Sequence, residues 1–309
     1  MSAAPIPFIP FAEAEPLLDW VALTEALAAG HALPRAEIGD TFLYRDPDTL
    51  LSRAAWIDGL GMAVKTATVF PGNPDRGAPM VNGAVCLYDD AGGELAALVD
   101  FHLVTKWKTA GDSLLAARRL ARPDSREIVI IGAGTVGAAL LEAFAAGFPG
   151  ARFAIWNRSP DKARALAARH AAARPVEDLR EAVEGADIVL AATMAREPVI
   201  RGDWLRPGQH LNLIGAYRPD MRETDDTALR RARIFVDSRA TTLDHIGELK
   251  IPLATGVITP EDVIADFYEL DRFTPAGRDE ITLFKNGGGA HLDLITARYI
   301  LDRWHAARG

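Results

Sequence analysis

The sequence contains only one cysteine among its 309 residues, Cys86, so no disulfide bond can form within the chain. That scarcity is typical of proteins of the reducing cytoplasm. Basic residues are outnumbered by acidic ones, 34 to 42, and the net charge of −8 argues against extensive nucleic-acid binding. No apolar run is long enough to cross a membrane, and the N-terminus shows no secretory signal pattern.

Patterns that mark several other kinds of enzyme are missing as well. The histidines, among them His102, His210 and His291, lack a metal-ligand spacing such as HExxH, and neither a Ser-His-Asp nor a Cys-His signature is present. Each histidine is therefore expected to be structural. Together these absences predict a cytoplasmic protein with a small-molecule ligand that acts without a metal, nucleic acid or membrane.

A glycine-rich turn in the middle of the chain carries the strongest positive signal. The apolar run 128–131 predicts a buried strand, the following segment GAGTVG matches GxGxxG, and strong helix formers continue from Ala138. In this setting the glycines allow a tight turn, the approach of a pyrophosphate and close packing of helix on strand, and the helix N-terminus attracts phosphates. A plain glycine-rich turn is the alternative. The predicted dinucleotide contacts are Gly132, Gly134, Thr135, Val136 and Gly137.

Two kinds of pattern divide the chain. Up to about residue 103, short apolar runs broken by Gly, Pro, Asp and Asn predict an α+β part with an antiparallel sheet. From the glycine turn onward, strands alternate with helical stretches, which predicts a doubly wound parallel α/β sheet of the Rossmann type. The expected strands lie at 61–70, 81–88 and 94–99 in the first part and at 128–131, 151–156, 186–192, 209–215 and 232–237 in the second.

The end of the second Rossmann strand distinguishes between nicotinamide dinucleotides. NAD-binding folds usually place an acidic residue there, but this chain has Asn157, followed by Arg158 and Ser159. A guanidinium and a hydroxyl suit a 2′-phosphate, so NADPH is the predicted cofactor and NADH the alternative. In the other interpretation Arg158 is a solvated surface residue and Ser159 is only the N-cap of a helix that starts at Pro160.

Three lysines form a second candidate group. Lys65 lies in an apolar strand-like run, and Lys106 and Lys108 lie in the segment VTKWKTA, which also looks strand-like. Lysines in such runs are costly to bury without an anion, so Lys65 and one of the others are candidates for binding a substrate carboxylate. Snorkelling at strand edges explains them equally well. Lys106 fits either a second carboxylate or a solvent-facing position.

Four motifs, taken in order, resemble those of the ornithine cyclodeaminase/mu-crystallin family. They are GxxVK ending at Lys65, T-x-x-[RK]-T-A at 105–110, GAGxxG at 132–137 and GAxRPDxRExD at 215–225. The resemblance extends from about Gly61 to the C-terminus. The segments IWNRS at 155–159 and 197–220 are most similar to the mu-crystallin branch, whose members include ketimine reductases.

The resemblance implies a fold, an assembly and a range of activities. Residues 118–291 would form a Rossmann domain inserted in a discontinuous substrate and dimerisation domain, residues 1–117 and 292–309. Family members are usually homodimers joined through that substrate domain. Their activities include cyclodeamination of amino acids, alanine dehydrogenation and reduction of cyclic or linear ketimines, and mu-crystallin also binds thyroid hormone.

The resemblance also implies roles for individual residues. Lys65 and Lys108 match the positions that bind the substrate carboxylate, although Lys108 replaces the usual arginine and loses its bidentate geometry. Arg35 matches an early substrate arginine. The residues expected near the cofactor are Thr109 at the phosphates, Thr193 and Met194 at the nicotinamide ribose, and Asn286 at the nicotinamide.

Tyr217 is an informative departure from the family pattern. Cyclodeaminases carry an aspartate at this point, and a phenol with a pKa near about 10 cannot replace that carboxylate at neutral pH. The chain is therefore expected to be an NAD(P)H-dependent imine reductase that converts a cyclic or linear 2-imino acid to an L-amino acid, with Tyr217 positioning the amine. The alternatives are a cyclodeaminase-type lyase that recycles NAD and a non-catalytic, NADPH-dependent ligand-binding protein.

Overall fold

The computed structural model describes residues 6–275 and 277–309. The chain divides into two compact units, of which the first comprises the chain up to Lys108 together with Gly289–Gly309, and the second Thr109–Gly288. The division points lie nine and three residues before those expected at 117/118 and 291/292. Within the described ranges, no helix is long and apolar enough to span a lipid bilayer.

The first unit is built, over its described residues, on a six-stranded sheet. Its strands are β1 (Phe8–Ile9), β2 (Glu37–Arg45), β3 (Asp48–Ile57), β4 (Gly61–Val69), β5 (Val81–Tyr88) and β6 (Leu95–Asp100), in the spatial order β1-β6-β5-β4-β3-β2. Neighbouring strands pair antiparallel except β1 and β6, which are parallel. The helices are α1 (Phe11–Ala14), α2 (Trp20–His31) and the start of α3 (Phe101–Leu120), which ends in the second unit.

Strand β4 shows why this sequence forms a sheet. Ala63, Lys65 and Ala67 are buried on one face, while Met62 and Val64 are half-buried on the other, which is the two-residue period of a strand. The predicted strands β4, β5 and β6 are confirmed. Strands β2 and β3 lie outside the prediction, because β2 is exposed along its whole length and so lacks the alternation that marks a half-buried strand.

The second unit contains, among its described residues, an eight-stranded sheet in which all paired neighbours are parallel. Its strands are β7 (Glu127–Ile131), β8 (Arg152–Trp156), β9 (Ala173–Pro175), β10 (Ile188–Ala191), β11 (His210–Leu213), β12 (Ala232–Val236), β13 (Val263–Ala265) and β14 (Ile281–Lys285), ordered β13-β12-β14-β11-β10-β7-β8-β9. The helices are α4 (Thr135–Gly147), α5 (Pro160–Ala167), α6 (Leu179–Gly185), α7 (Asp226–Arg231), α8 (Arg239–Thr242) and α9 (Gly247–Ala254). The last helix, α10 (Ala290–Ala306), belongs to the first unit and packs there against α2, β3 and β4.

The order of the strands confirms the doubly wound α/β prediction. Strand β10 and the run 128–131 of β7 are completely buried, as expected for parallel strands covered on both faces. The spatial order of the strands reverses at β7, because β8 and β9 lie on one side of it and β10 on the other. The carboxyl ends of β7 and β10 therefore form the topological switch point, where open α/β sheets bind ligands.

The segment around Lys106 and Lys108 is helical, so its strand-like interpretation is wrong. Helix α3 begins at Phe101 and includes both lysines. Around these lysines its buried apolar side chains are Leu103, Val104, Trp107 and Ala110. They recur every three to four residues, which is the period of a helix, and the local alternation of lysines with apolar residues concealed this longer pattern.

Candidate active site

The glycine turn between β7 and α4 has the geometry of a pyrophosphate site. Gly132 has a φ of +112°, and a Cβ there would lie 2.5 Å from the carbonyl oxygen of Ala192. A Cβ on Gly137 would lie 2.0 Å from the carbonyl oxygen of Gly132, whereas one on Gly134 would meet nothing within 4 Å. Gly132 and Gly137 are thus required by packing, and Gly134 borders open space, as the approach of a ligand demands.

Helix α4 provides the other half of that phosphate site. It begins at Thr135, and its N-cap Gly134 forms no side-chain capping hydrogen bond. The first N–H groups of such a helix, together with its dipole, favour an anion. Val136 follows in the first turn, so the five residues predicted at the pyrophosphate lie within six consecutive positions around one helix start. These residues fit the phosphates of a dinucleotide.

Asn157 braces the glycine turn from the end of β8. Its side-chain Oδ1 accepts a hydrogen bond from the backbone N–H of Ala133 at 3.1 Å, and its Nδ2 donates to the carbonyl oxygen of Ser159 at 3.1 Å. Arg158 and Ser159 are exposed beside it. Helix α5 starts at Pro160 with Ser159 as N-cap, as expected, but the predicted capping by the Ser159 hydroxyl is wrong because no such hydrogen bond forms.

The residues predicted near the nicotinamide, and Tyr217, which is predicted to position the amine, follow parallel strands of the same sheet. Thr193 and Met194 follow β10, Tyr217 follows β11 and Asn286 follows β14, so all lie beyond the carboxyl edge of the sheet, where β7 also ends. Met194 and Tyr217 are 73% and 61% exposed. Asn286 is buried and donates a hydrogen bond to Asp112 on α3. Thr109, at the start of the second unit, is half-buried on the same helix.

Lys65 and Lys108 meet in the first unit around Asp293, a residue that sequence reasoning missed. The Nζ atoms of Lys65 and Lys108 lie 2.9 and 3.7 Å from Oδ1 of Asp293 on α10. All three side chains are buried, and Lys65 also lies over the ring of Phe101, 4.8 Å from its centroid. Two ammonium groups and one carboxylate leave a positive charge, which suits an anionic ligand such as a carboxylate.

Burial and charge pull the pKa values of this cluster in opposite directions. Burial lowers the pKa of Lys65 to about 8, Asp293 opposes that shift, and the charges of Lys108 and Arg53 add to it. Burial alone would raise the pKa of Asp293, yet Lys108 and Lys65 hold it below its ordinary value. The cluster therefore contains an ionised carboxylate and a lysine that loses its proton in the weakly alkaline range.

Arg35 belongs to the same electrostatic neighbourhood. It is exposed just before β2. Burial holds the pKa of His291, on α10, well below its ordinary value, and the charges of His31, Lys108, Arg53 and Arg35 lower it further. His291 also contacts the ring of His31, with 5.1 Å between centroids. The charges of Arg35 and Lys108 thus both act on the buried, neutral imidazole of His291.

Lys106, which the sequence left open, and His210, which was expected to be structural, both contact other side chains of this protein. Lys106 pairs with Glu15, so neither a second substrate carboxylate nor free solvent is its partner. His210 is buried with its Nδ1 2.9 Å from the Thr282 hydroxyl, and burial lowers its pKa to about 3. Among the residues that the structure describes, no cluster of three or more His, Cys, Asp or Glu side chains could hold a metal ion.

Glu223 is a further residue that sequence reasoning passed over. It is fully buried in the second unit, and its carboxylate accepts hydrogen bonds from Thr193, Gly215 and Ala216. It is also the glutamate of the GAxRPDxRExD motif, so the motif itself was the available signal. The motif marks Glu223 as a candidate, but only the folded structure shows which groups its carboxylate contacts.

Comparisons with known proteins agree with this arrangement. The model of the "Ornithine cyclodeaminase/mu-crystallin family" matches residues 56–308. The chain is 52% identical over 309 residues to the Delta(1)-pyrroline-2-carboxylate reductase of Paracoccus denitrificans, covering 97% of each chain. It is 32% identical over 249 residues to the ketimine reductase mu-crystallin of Mus musculus, covering 80% of this chain and 77% of the relative.

A solved structure extends the similarity to the fold. The structure of Thermococcus litoralis Delta(1)-pyrroline-2-carboxylate reductase in complex with NADH and L-proline matches with a TM-score of 0.89 and 28% sequence identity. The match covers 97% of this chain and 98% of that one. Both compact units therefore have counterparts in that structure.

Proposed function

Because the chain belongs to the ornithine cyclodeaminase/mu-crystallin family, we propose that it is an NAD(P)H-dependent imine reductase that converts a 2-imino acid to an L-amino acid. The preferred substrate is the cyclic imine Δ1-pyrroline-2-carboxylate, and the product is L-proline. The relative with 52% identity bears the name of this activity, and the similar solved structure contains NADH and L-proline. Linear imines and the six-membered cyclic imine are the nearest competing substrates.

The observation that carries the proposal is the pair of lysines around Asp293. Lys65 and Lys108 are buried, and burying two ammonium groups beside a single carboxylate is costly unless a further anion joins them. A 2-imino acid supplies that anion as its carboxylate. Two ammonium contacts also restrict the rotation of the substrate, and a fixed orientation of the C=N carbon lowers the entropic part of the barrier.

The second unit supplies the binding site for the reductant. The glycine turn and the N-terminus of α4 would hold the pyrophosphate, and Thr193, Met194 and Asn286 belong to the edge where the nicotinamide half would bind. When bound, the reduced nicotinamide supplies the hydride. The residues of this chain orient the imine and hold its carboxylate, and a protonated imine is electrophilic enough to need little further acid catalysis.

NADPH is the preferred form of the cofactor in this proposal. Arg158 and Ser159 are exposed at the end of β8, where an NAD-specific fold would place an acidic side chain for the ribose hydroxyls. A guanidinium binds phosphate oxygens bidentately. Since the solved relative contains NADH, both dinucleotides must be compared in the assay.

Tyr217 argues against the cyclodeaminase alternative. It occupies the position at which cyclodeaminases, by the family resemblance, carry an aspartate. Its exposed phenol cannot replace that carboxylate as a base at neutral pH. The buried lysine pair favours catalysis over ligand binding alone, because two contacts to one carboxylate fix the orientation of the C=N carbon. Ammonia release without net oxidation of NADPH would favour the lyase, and tight binding without turnover the binding protein.

We also propose a cytoplasmic homodimer formed through the first unit. On β3, β4 and β5 one face carries Trp56, Met62 and Tyr88, which are paired across the strands, and Val64 lies two residues from Met62 on the same face of β4. Trp56 is 51% exposed. An apolar sheet face of this kind is typical of a subunit interface. Sedimentation of the wild type and of Val64→Glu tests this, and a wild type that sediments as a monomer contradicts it. The single cysteine supports the cytoplasm as the location.

The test of the function is a substrate panel with a matched pair of variants. Oxidation of NADPH and NADH is followed with Δ1-pyrroline-2-carboxylate, Δ1-piperideine-2-carboxylate, iminosuccinate, and pyruvate with methylamine. Lys65→Met is expected to lose most of the activity while still binding NADPH, and Lys250→Met, at an exposed lysine of α9, is the control. If Lys65→Met keeps the wild-type kcat/KM on every imine, the carboxylate assignment is wrong.

A further inference from the structure

One buried carboxylate, that of Glu223, joins the loops that follow β10 and β11. Its Oε1 accepts hydrogen bonds from the backbone N–H of Thr193 at 2.8 Å and from the Thr193 hydroxyl at 2.9 Å. Its Oε2 accepts from the backbone N–H groups of Gly215 at 2.7 Å and Ala216 at 3.3 Å. Each oxygen of this side chain therefore holds a different loop.

Glu223 is itself held in place by its surroundings. Its backbone N–H and that of Thr224 donate to the carboxylate of Glu248 on α9, at 2.6 and 3.0 Å. Lys285 at the end of β14 donates to the carbonyl oxygen of Leu213 at 2.9 Å. All three charged side chains, Glu223, Glu248 and Lys285, are completely buried. The backbone at Glu223 is thus anchored from α9, and Lys285 is bonded to the end of β11, the strand that leads to Gly215.

The two loops also approach each other closely. A Cβ on Gly215 would lie 2.0 Å from the carbonyl oxygen of Thr193 and 2.6 Å from Oε1 of Glu223. Only glycine fits at that contact, so the backbone groups of the loops meet the carboxylate directly. Met194 and Tyr217 follow within two residues of the hydrogen-bonded groups, and any displacement at Glu223 is transmitted to them.

We propose that Glu223 is a positioning residue of the reaction, because it holds together the two loops that carry Thr193, Met194 and Tyr217. This inference rests on the proposed function. An ionised carboxylate accepts from all four donors, since it has acceptor capacity on both oxygens. When the carboxyl is protonated, or is replaced by an amide, one of its two polar atoms carries hydrogen and becomes a donor. That donor then faces a backbone N–H group. A buried donor then loses its partner, which is costly.

The charges around Glu223 make this joint sensitive to pH. Burial raises the pKa of Glu223 to about 7 against the opposing charge of Lys285, and Glu248 adds to the rise. Burial lowers the pKa of Lys285, which Glu223, Glu248, Asp237 and Asp112 oppose. The carboxylate is therefore expected to be neutralised as the pH falls through neutrality, and the hydrogen bonds between the loops weaken with it.

The experiment compares Glu223→Gln and Glu223→Asp with the wild type, and uses Glu261→Gln, at an exposed glutamate of the same unit, as the control. For each protein, kcat and KM are measured with Δ1-pyrroline-2-carboxylate across the pH range, together with the NADPH affinity by fluorescence and the thermal midpoint. Glu223→Gln is expected to lower kcat/KM by roughly 10- to 100-fold, since small displacements in an active site have effects of this size. Its pH profile of kcat/KM should lack the acid limb that is expected for the wild type at about pH 7. Glu223→Asp keeps the charge, and should keep that limb and lose less activity.

A purely structural role would give a different result. If Glu223→Gln lowers only the thermal midpoint and keeps the wild-type kcat/KM and pH profile, the positioning role is wrong. If Glu223→Gln does not fold, the absence of the acid limb in Glu223→Asp contradicts it instead. A wild type that binds NADPH but reduces no imine contradicts the proposed function alone. In that case Glu223 is judged by NADPH affinity, and equal affinities in both variants and the wild type overturn its role.

Discussion

The contact between Asp293 and Lys65 leads to a quantitative prediction for Asp293→Asn. The wild-type Lys65 has a pKa lowered to about 8, with burial as the main cause and Asp293 as the principal opposing charge. As the pH rises through about 8, Lys65 loses its proton, and kcat/KM for an imino acid should fall. Asparagine keeps the shape of the side chain but removes its charge, so the pKa of Lys65 falls further.

The size of the shift follows from the burial of the pair. Removing one partner of a buried ion pair typically costs about 3–5 kcal/mol, and one pKa unit corresponds to about 1.4 kcal/mol. Even half of that cost would move the pKa of Lys65 to about 7 or below. At about pH 8 most Lys65 side chains of the variant would then be neutral, and kcat/KM should be roughly fivefold or more below that of the wild type.

The same substitution has a signature in the stability of the protein. The folded-state pKa of Lys65 lies below the unfolded value of 10.5, so between these two values the unfolded chain binds more protons and the free energy of unfolding rises with pH. In Asp293→Asn the rise should begin at a lower pH. Denaturant titrations at several pH values measure it independently of catalysis.

The assay is the pH profile of kcat/KM for Δ1-pyrroline-2-carboxylate, with NADPH saturating. Asp302→Asn, which lies on the exposed side of α10, is the control for removing a carboxylate from the same helix. The alkaline limb of Asp293→Asn should lie at lower pH than that of the wild type and the control. An unchanged limb in a folded Asp293→Asn variant would refute the assignment of Lys65 as the titrating carboxylate ligand.

Three further predictions test the cofactor site and Tyr217. Gly134→Ala should keep the wild-type thermal midpoint, because its Cβ meets only open space in the protein, but it should weaken NADPH binding about tenfold or more, because that space is where the pyrophosphate would approach. Gly137→Ala should instead lower the free energy of unfolding by about 1–3 kcal/mol or more, since its Cβ would lie 2.0 Å from a carbonyl oxygen. Arg158→Gln should weaken NADPH binding roughly tenfold and leave NADH binding unchanged, and equal losses for both would contradict the 2′-phosphate assignment. Tyr217→Phe should change kcat/KM by less than about threefold because the proposed imine reduction needs little acid or base catalysis, so a large loss would make the phenol a catalytic group.

Much of the Rossmann half was predictable because its signals are local. The buried run of β7, the glycine turn and the start of α4 occupy consecutive residues. Gly132 and Gly137 meet packing requirements at their own positions, and Gly134 leaves space for a ligand. Asn157 shows where such reasoning ends. The sequence places it at the tip of β8, but only the fold shows that its amide binds the backbone of the glycine turn.

The site's charged contacts depended on tertiary structure. Lys65 and Asp293 are 228 positions apart, and no local pattern pairs a strand residue with a helix residue at that distance. Likewise β14 is the last strand of its sheet in the chain, yet it lies between β11 and β12, and the charge of its Lys285 acts on Glu223. The sequence alone determined the buried strand β7, the phosphate-binding turn and the start of α4, since local backbone conformation is set by neighbouring residues. Which charges share a buried site was decided by packing, because burial and the distance between charges exist only in the folded chain.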